Sequence, residues 1–142
     1  MAEVRSGDIH IGDEIPIQIE RTVTQEMISR WAEVSVDFNP LHVDPEFGQT
    51  TPFGSTIAHG HLSITYMLEM LTRWLGEKWL SGGQLKQMRF VSPVKPGDTV
   101  TPKGKVVDKR LEGDGKVIEC DVWLENQDGT QTIVGKAVAT LD

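Results

Sequence analysis

His59-Gly60-His61-Leu62-Ser63-Ile64-Thr65-Tyr66-Met67-Leu68-Glu69-Met70-Leu71-Thr72-Arg73-Trp74-Leu75 is the stretch whose reading decides the fold. Wound as a helix, it carries apolar side chains on nearly every side, and the polar positions of its first turns, Ser63 and Thr65, are small. A helix that is apolar all round is one enclosed by other structure. The pattern continues to about Trp79 before Gly82-Gly83 stops it, so one long helix over His59 to Trp79 is expected at the centre of the fold.

What encloses it is legible downstream. Four strand-like runs follow, Gln84 to Val91, Thr99 to Lys109, Lys116 to Asn126 and Thr130 to Leu141. The separators are turn sequences: Ser92-Pro93-Val94-Lys95-Pro96-Gly97-Asp98, Glu112-Gly113-Asp114-Gly115 and Asn126-Gln127-Asp128-Gly129. One buried helix followed by hairpin-linked strands means an antiparallel sheet curled around that helix, an α+β arrangement. A sheet of this size leaves an open edge, which pairing with a second copy would cover, so a homodimer or higher homo-oligomer is expected. Upstream, Ile15 to Ile19 alternates, and Thr24 is placed to cap a helix carrying Met27, Ile28, Trp31, Ala32 and Val34 that ends near Ser35.

At 142 residues, with no repeat, linker or low-complexity tract, the chain reads as a single domain, 1–142. The excess of 21 acidic over 14 Lys and Arg residues, a formal charge of -7, opposes nucleic acid or an anionic membrane as the partner. A phosphate-bearing ligand would need a local patch drawn from Lys86, Arg89, Lys95, Lys103 or Lys105. The lone Cys120 excludes an internal disulfide and a cysteine-rich zinc site, fits a reducing compartment, and shares one face of an alternating segment with Ile118, Val122 and Leu124, as a buried residue does. No stretch approaches the ~20 apolar residues of a membrane span, and the N-terminus lacks a secretion signal's apolar run, so a cytoplasmic location is expected.

Between the two helices, Asp37 to Ala58 is rich in Asn, Pro, Gly and Thr, and Pro40, Pro45 and Pro52 preclude a long helix, although Asp44 to Gln49 has room for one turn. A connection this long inside a compact domain is more often a binding segment than a spacer. It opens with Val36-Asp37-Phe38-Asn39-Pro40-Leu41-His42-Val43-Asp44-Pro45, which sets a carboxylate and an imidazole five residues apart, the composition of a general acid/base pair. In an extended or turning segment fixed by Pro40, both side chains can face one pocket, with Asn39 holding a water or carbonyl between them. The plainer readings are that Asp37 caps a turn, Asn39-Pro40 forms one, and His42 lies on the surface. His59 and His61 flank a helix start, where a histidine bonds the loop, and no ligand pair has metal spacing, so no metal is expected. Gly60 stands where first-turn N–H groups lack intrahelical acceptors, so it either admits a ligand closely or serves tight packing.

Together these pieces resemble the MaoC-like, (R)-specific enoyl-CoA hydratase family of hot-dog-fold proteins. The resemblance rests on Asp37-Phe38-Asn39-Pro40-Leu41-His42, on Ile57-Ala58-His59-Gly60, and on Arg89-Phe90-Val91-Ser92-Pro93-Val94 with Pro96-Gly97-Asp98, and runs from about Thr24 to the C-terminus. It implies a hydro-lyase of fatty acid metabolism that reversibly hydrates a trans-2-enoyl thioester, with Asp37 and His42 as the catalytic pair, Asn39 supporting the water and the Gly60 N–H as oxyanion donor. Leu68 and Leu71 would border the acyl tunnel, and Ala58 and His59 would complete the substrate-binding set. The substrate is a thioester of CoA or of acyl carrier protein, and no cofactor is implied. A 3-hydroxyacyl-ACP dehydratase and, in another class, a non-catalytic acyl-thioester binding module are the alternative readings. Two positions depart from the family: it usually has Ser-Gly-Asp where this chain has Ser35-Val36-Asp37, and Ala or Ser where Gly48 stands.

Overall fold

The computed structural model describes residues 3–142. Five strands, β1 (Arg21–Thr22), β2 (Gln84–Phe90), β3 (Thr99–Glu112), β4 (Gly115–Glu125) and β5 (Gln131–Thr140), make one antiparallel sheet in the order β1-β3-β4-β5-β2. The three longest are consecutive hairpin partners, as their turn sequences predict. The register sets Cys120 opposite Val106 and Ala137, and Val122 opposite Gly135. Every second residue of β4 from Ile118 to Leu124 is buried as expected, and burial pushes the Cys120 thiol up to about 12. The Ile15 to Ile19 run is not a ladder strand, but it keeps its alternation: Ile15 and Ile19 are buried, and the Ile15 N–H donates to the Gly104 carbonyl beside β3 (2.9 Å).

The helices are α1 (Gln25–Ser35), α2 (Pro40–Val43), α3 (Pro45–Thr50), α4 (Gly60–Leu75) and α5 (Glu77–Gly82). Helix α1 begins as the sequence predicts, with the Thr24 hydroxyl accepting the Met27 N–H (3.2 Å), and it buries Ile28 and Ala32. The central α4 packs across β3 and β4, and only His61 and Arg73 of its residues are exposed. Met67, Met70 and Leu71 have no accessible surface at all. The single helix expected over His59 to Trp79 is in fact two. Gly76, at φ 57°, turns the chain out of α4, and α5 folds back so that the Trp79 ring lies on Gly83.

Candidate functional site

Asp37 owes its place to the way α1 stops. The Asp37 N–H reaches back to the Ala32 carbonyl (3.0 Å), the six-to-one bond of a Schellman closure, and the residue before it, Val36, takes the left-handed conformation with φ 56°. That conformation suits glycine, the residue the family usually carries there. A β-branched side chain in it is strained by about 1–2 kcal/mol, and Val36 is 76% exposed, so packing returns little. Val36→Gly should therefore raise the denaturant midpoint by the equivalent of about 1 kcal/mol after the added flexibility of the unfolded chain is counted; an unchanged or lower midpoint would show that no such strain exists.

His42 is placed by a helical turn, the turning rather than the extended form of the segment that Pro40 fixes. Pro40 occupies the first position of α2, where its missing N–H is harmless, and the Asn39 side-chain oxygen accepts the Leu41 N–H (3.0 Å) as the cap. Asn39 thus spends its oxygen on the turn, which leaves its amide NH₂ for a ligand. The turn carries His42 to the far end of the connection, where its Nδ1 lies 2.7 Å from the Ile57 carbonyl. A carbonyl only accepts, so Nδ1 bears the hydrogen, and in the neutral ring Nε2 is the nitrogen free to take a proton.

Two groups that sequence reasoning missed hold this connection in place. Gln25 of α1 donates from Nε2 to the His42 carbonyl (2.8 Å), and its Oε1 accepts from the Thr56 hydroxyl (2.5 Å), so one side chain ties both ends of the loop to α1. Thr56 is 3% exposed. A glutamine in the first turn of a helix gives no sign of such a task, because its partners lie 17 and 31 residues away.

The turn and the helix end bring a carboxylate oxygen of Asp37 and one ring nitrogen each of His42 and His59 within 4.8 Å of one another. The two imidazoles stack, with centroids 3.9 Å apart and planes inclined by 26°. The spacing alone would admit a metal ion, but the lone pairs of stacked rings lie in separate, nearly parallel planes, and one nitrogen of each ring is already bonded to a carbonyl. This geometry suits proton transfer better than chelation.

Beside His42 opens a cleft of about 420 Å³ lined by Phe53, Ile57, Ala58, Gly60, His61, Ser63, Phe90 to Val94 and Ile133. Gly60 is the first residue of α4, and the Ala58 N–H before it is anchored on the Val94 carbonyl (2.7 Å). An added Cβ at position 60 would fall 2.5 Å from the ring of Phe90. Phe90 is 56% exposed, and the glycine lets its ring lie directly on the start of the helix. Ala58 lines the cleft. His59 does not; it lies behind His42 and is 3% exposed. Leu71, fully buried, and Leu68, half-buried against the core, sit farther along α4, outside the lining of this cleft.

Comparison with known proteins agrees with this architecture. The family model described as MaoC like domain matches residues 8–130. The (R)-specific enoyl-CoA hydratase of Aeromonas caviae is 32% identical over 117 residues, which are 80% of this chain and 83% of that protein. The 3-hydroxyacyl-thioester dehydratase Z of Mycobacterium tuberculosis is 32% identical over 99 residues, 68% of this chain and 66% of its own. Among solved structures, the (R)-hydratase from A. caviae involved in PHA biosynthesis superposes with a TM-score of 0.80 at 28% identity, over 96% of this chain and all of that one.

Proposed function

The chain belongs to the MaoC-like domain family, with its hot-dog fold, and from that premise we propose that it is a hydro-lyase adding water reversibly to a trans-2-enoyl thioester to give the (R)-3-hydroxyacyl thioester. The observation that carries the reading is the convergence of Asp37 and His42 beside a cleft that Gly60 lines. A water held between the carboxylate, His42 Nε2 and the Asn39 amide adds its oxygen to C3. The pair removes the water's second proton and delivers one to C2, so that the double bond becomes a C–H and a C–OH with nothing left over. Charge that builds on the thioester oxygen meets the Gly60 N–H at the positive end of α4, an interaction of about 3 kcal/mol where such a donor has been deleted from other enzymes. The reaction calls for no redox cofactor or metal, and CoA enters as part of the substrate.

Assembly and setting follow the same reading. Among the described residues strand β2 pairs only with β5 and leaves its other edge for a second copy, which supports a homo-oligomer. No helix among the described residues is long and apolar enough to cross a membrane, and with one buried cysteine the chain fits the cytoplasm, in fatty acid metabolism. Both candidate carriers are acidic, CoA through its phosphates, so at a net charge of -7 either would dock through a local basic patch. Purified protein supplied with crotonyl-CoA and longer trans-2-enoyl-CoA thioesters should abolish the conjugated enoyl absorbance and yield the R product on chiral analysis. Tight binding of these thioesters with no loss of absorbance would instead mark a non-catalytic binding module, and faster turnover of carrier-protein thioesters would mark a dehydratase of acyl chain synthesis.

A further inference from the structure

His59 occupies the position just before α4 and makes no capping bond to its own helix. Its Nε2 instead reaches the main-chain carbonyl of Asp37, 22 residues earlier, at 3.0 Å. The carbonyl only accepts, so Nε2 carries the hydrogen. The face of the same ring lies against His42. One buried side chain at the start of the rigid central helix therefore touches both members of the acid/base pair. We propose that His59 is a positioning residue: it holds the Asp37 peptide with a hydrogen bond and backs the His42 ring with its face, setting the two reacting groups in register. The inference rests on the hydratase reading above and gives His59 a task other than touching substrate.

The rest of the local wiring says why an imidazole is needed. The Asp37 peptide is gripped on its N–H side by the Ala32 carbonyl, and His59 grips the carbonyl side, so the backbone that aims the carboxylate is fixed from both ends. His42 is fixed by its own Nδ1 bond to Ile57 and by Gln25 at its carbonyl, but neither restrains the tilt of the ring. A flat group stacked on it does. Phenylalanine would fill the space and stack but donate nothing, and glutamine would donate from nearly the same point but present no ring. The second ring nitrogen of His59, Nδ1, is buried with no protein partner among the described residues, a penalty that a residue kept only to fill volume would not carry.

These two substitutions form the test. In His59→Phe, kcat for enoyl-CoA hydration should fall by about 10²-fold, the scale of a 1 Å misplacement, while KM moves less than about threefold and the fold persists. His59→Gln should recover part of the loss by restoring the hydrogen bond. Amide hydrogen exchange across residues 37–43 should quicken in His59→Phe and stay near the parent's in His59→Gln. Parent-like kcat in His59→Phe overturns the proposal, as does a loss confined to KM, which would make His59 a substrate contact. Equal defects in the two variants would also overturn it. If the parent hydrates no enoyl thioester, the hydratase reading fails by itself, and exchange still decides: unchanged rates at residues 37–43 refute the positioning role, and a rise reversed by glutamine sustains it.

Discussion

Asp37→Asn and His42→Asn should each lower turnover of an enoyl thioester by about 10²–10⁴-fold, the usual contribution of a positioned acid or base, with little change in melting temperature. The choice of asparagine separates chemistry from scaffolding in both cases. At position 37 the amide keeps an oxygen to accept the Asn39 N–H, which lies 3.3 Å from Oδ1, and loses only the charge. At position 42 an asparagine amide can still donate to the Ile57 carbonyl in place of Nδ1, but it offers no nitrogen that takes a proton. His42→Ala, which removes the Ile57 bond as well, should be as inactive and also less stable. Because the two groups act on one water, the double variant should be little worse than either single one. Turnover within tenfold of the parent in both asparagine variants, with circular dichroism unchanged, would remove the pair from the mechanism.

Gly48→Ala should damage stability and turnover together, although alanine or serine is usual in the family at that place. Gly48 is buried in α3, and a Cβ there would fall 2.5 Å from the Ser55 carbonyl carbon and against the Thr56 amide nitrogen. Those are backbone atoms, so no rotamer change relieves the clash and the Ser55–Thr56 segment must move away. Overpacking of this kind costs about 1–3 kcal/mol, a fall of about 5 °C in Tm for a domain of this size. The displaced segment leads straight into Ile57, whose carbonyl sets the His42 tautomer, and it contains Thr56, the partner of Gln25. Turnover should therefore fall beyond what the lost stability explains at a temperature where the variant is fully folded. Gly48→Ala with the parent's Tm and kcat would mean that the second half of the connection does not rest on α3.

Much of the framework was legible because it is written in short-range patterns. The α1 cap at Thr24, the alternation in β4 and the hairpin turns each depend on residues within a few positions of one another. The break at Gly76 was harder to read. The apolar pattern runs through it to Trp79, and only the path of the chain shows that the glycine turns a corner. In the connection, the proline spacing correctly excluded a long helix, yet Pro40 proved to begin a turn of helix. Proline is equally at home at both places, and the Asn39 cap decided between them.

The hairpin-linked strands, the enclosed character of the central helix and the five-residue spacing of a carboxylate and an imidazole were determined by the sequence alone, since periodicity, turn chemistry and spacing are local properties. Tertiary structure decided what surrounds that pair: His59 on the Asp37 carbonyl and the His42 ring, Gln25 on both ends of the connection, Phe90 on Gly60. These contacts join residues far apart in the chain, and they form only where α1, α4 and β2 come together. No local pattern records them, because a buried polar group is satisfied by whichever partner the packing brings to it.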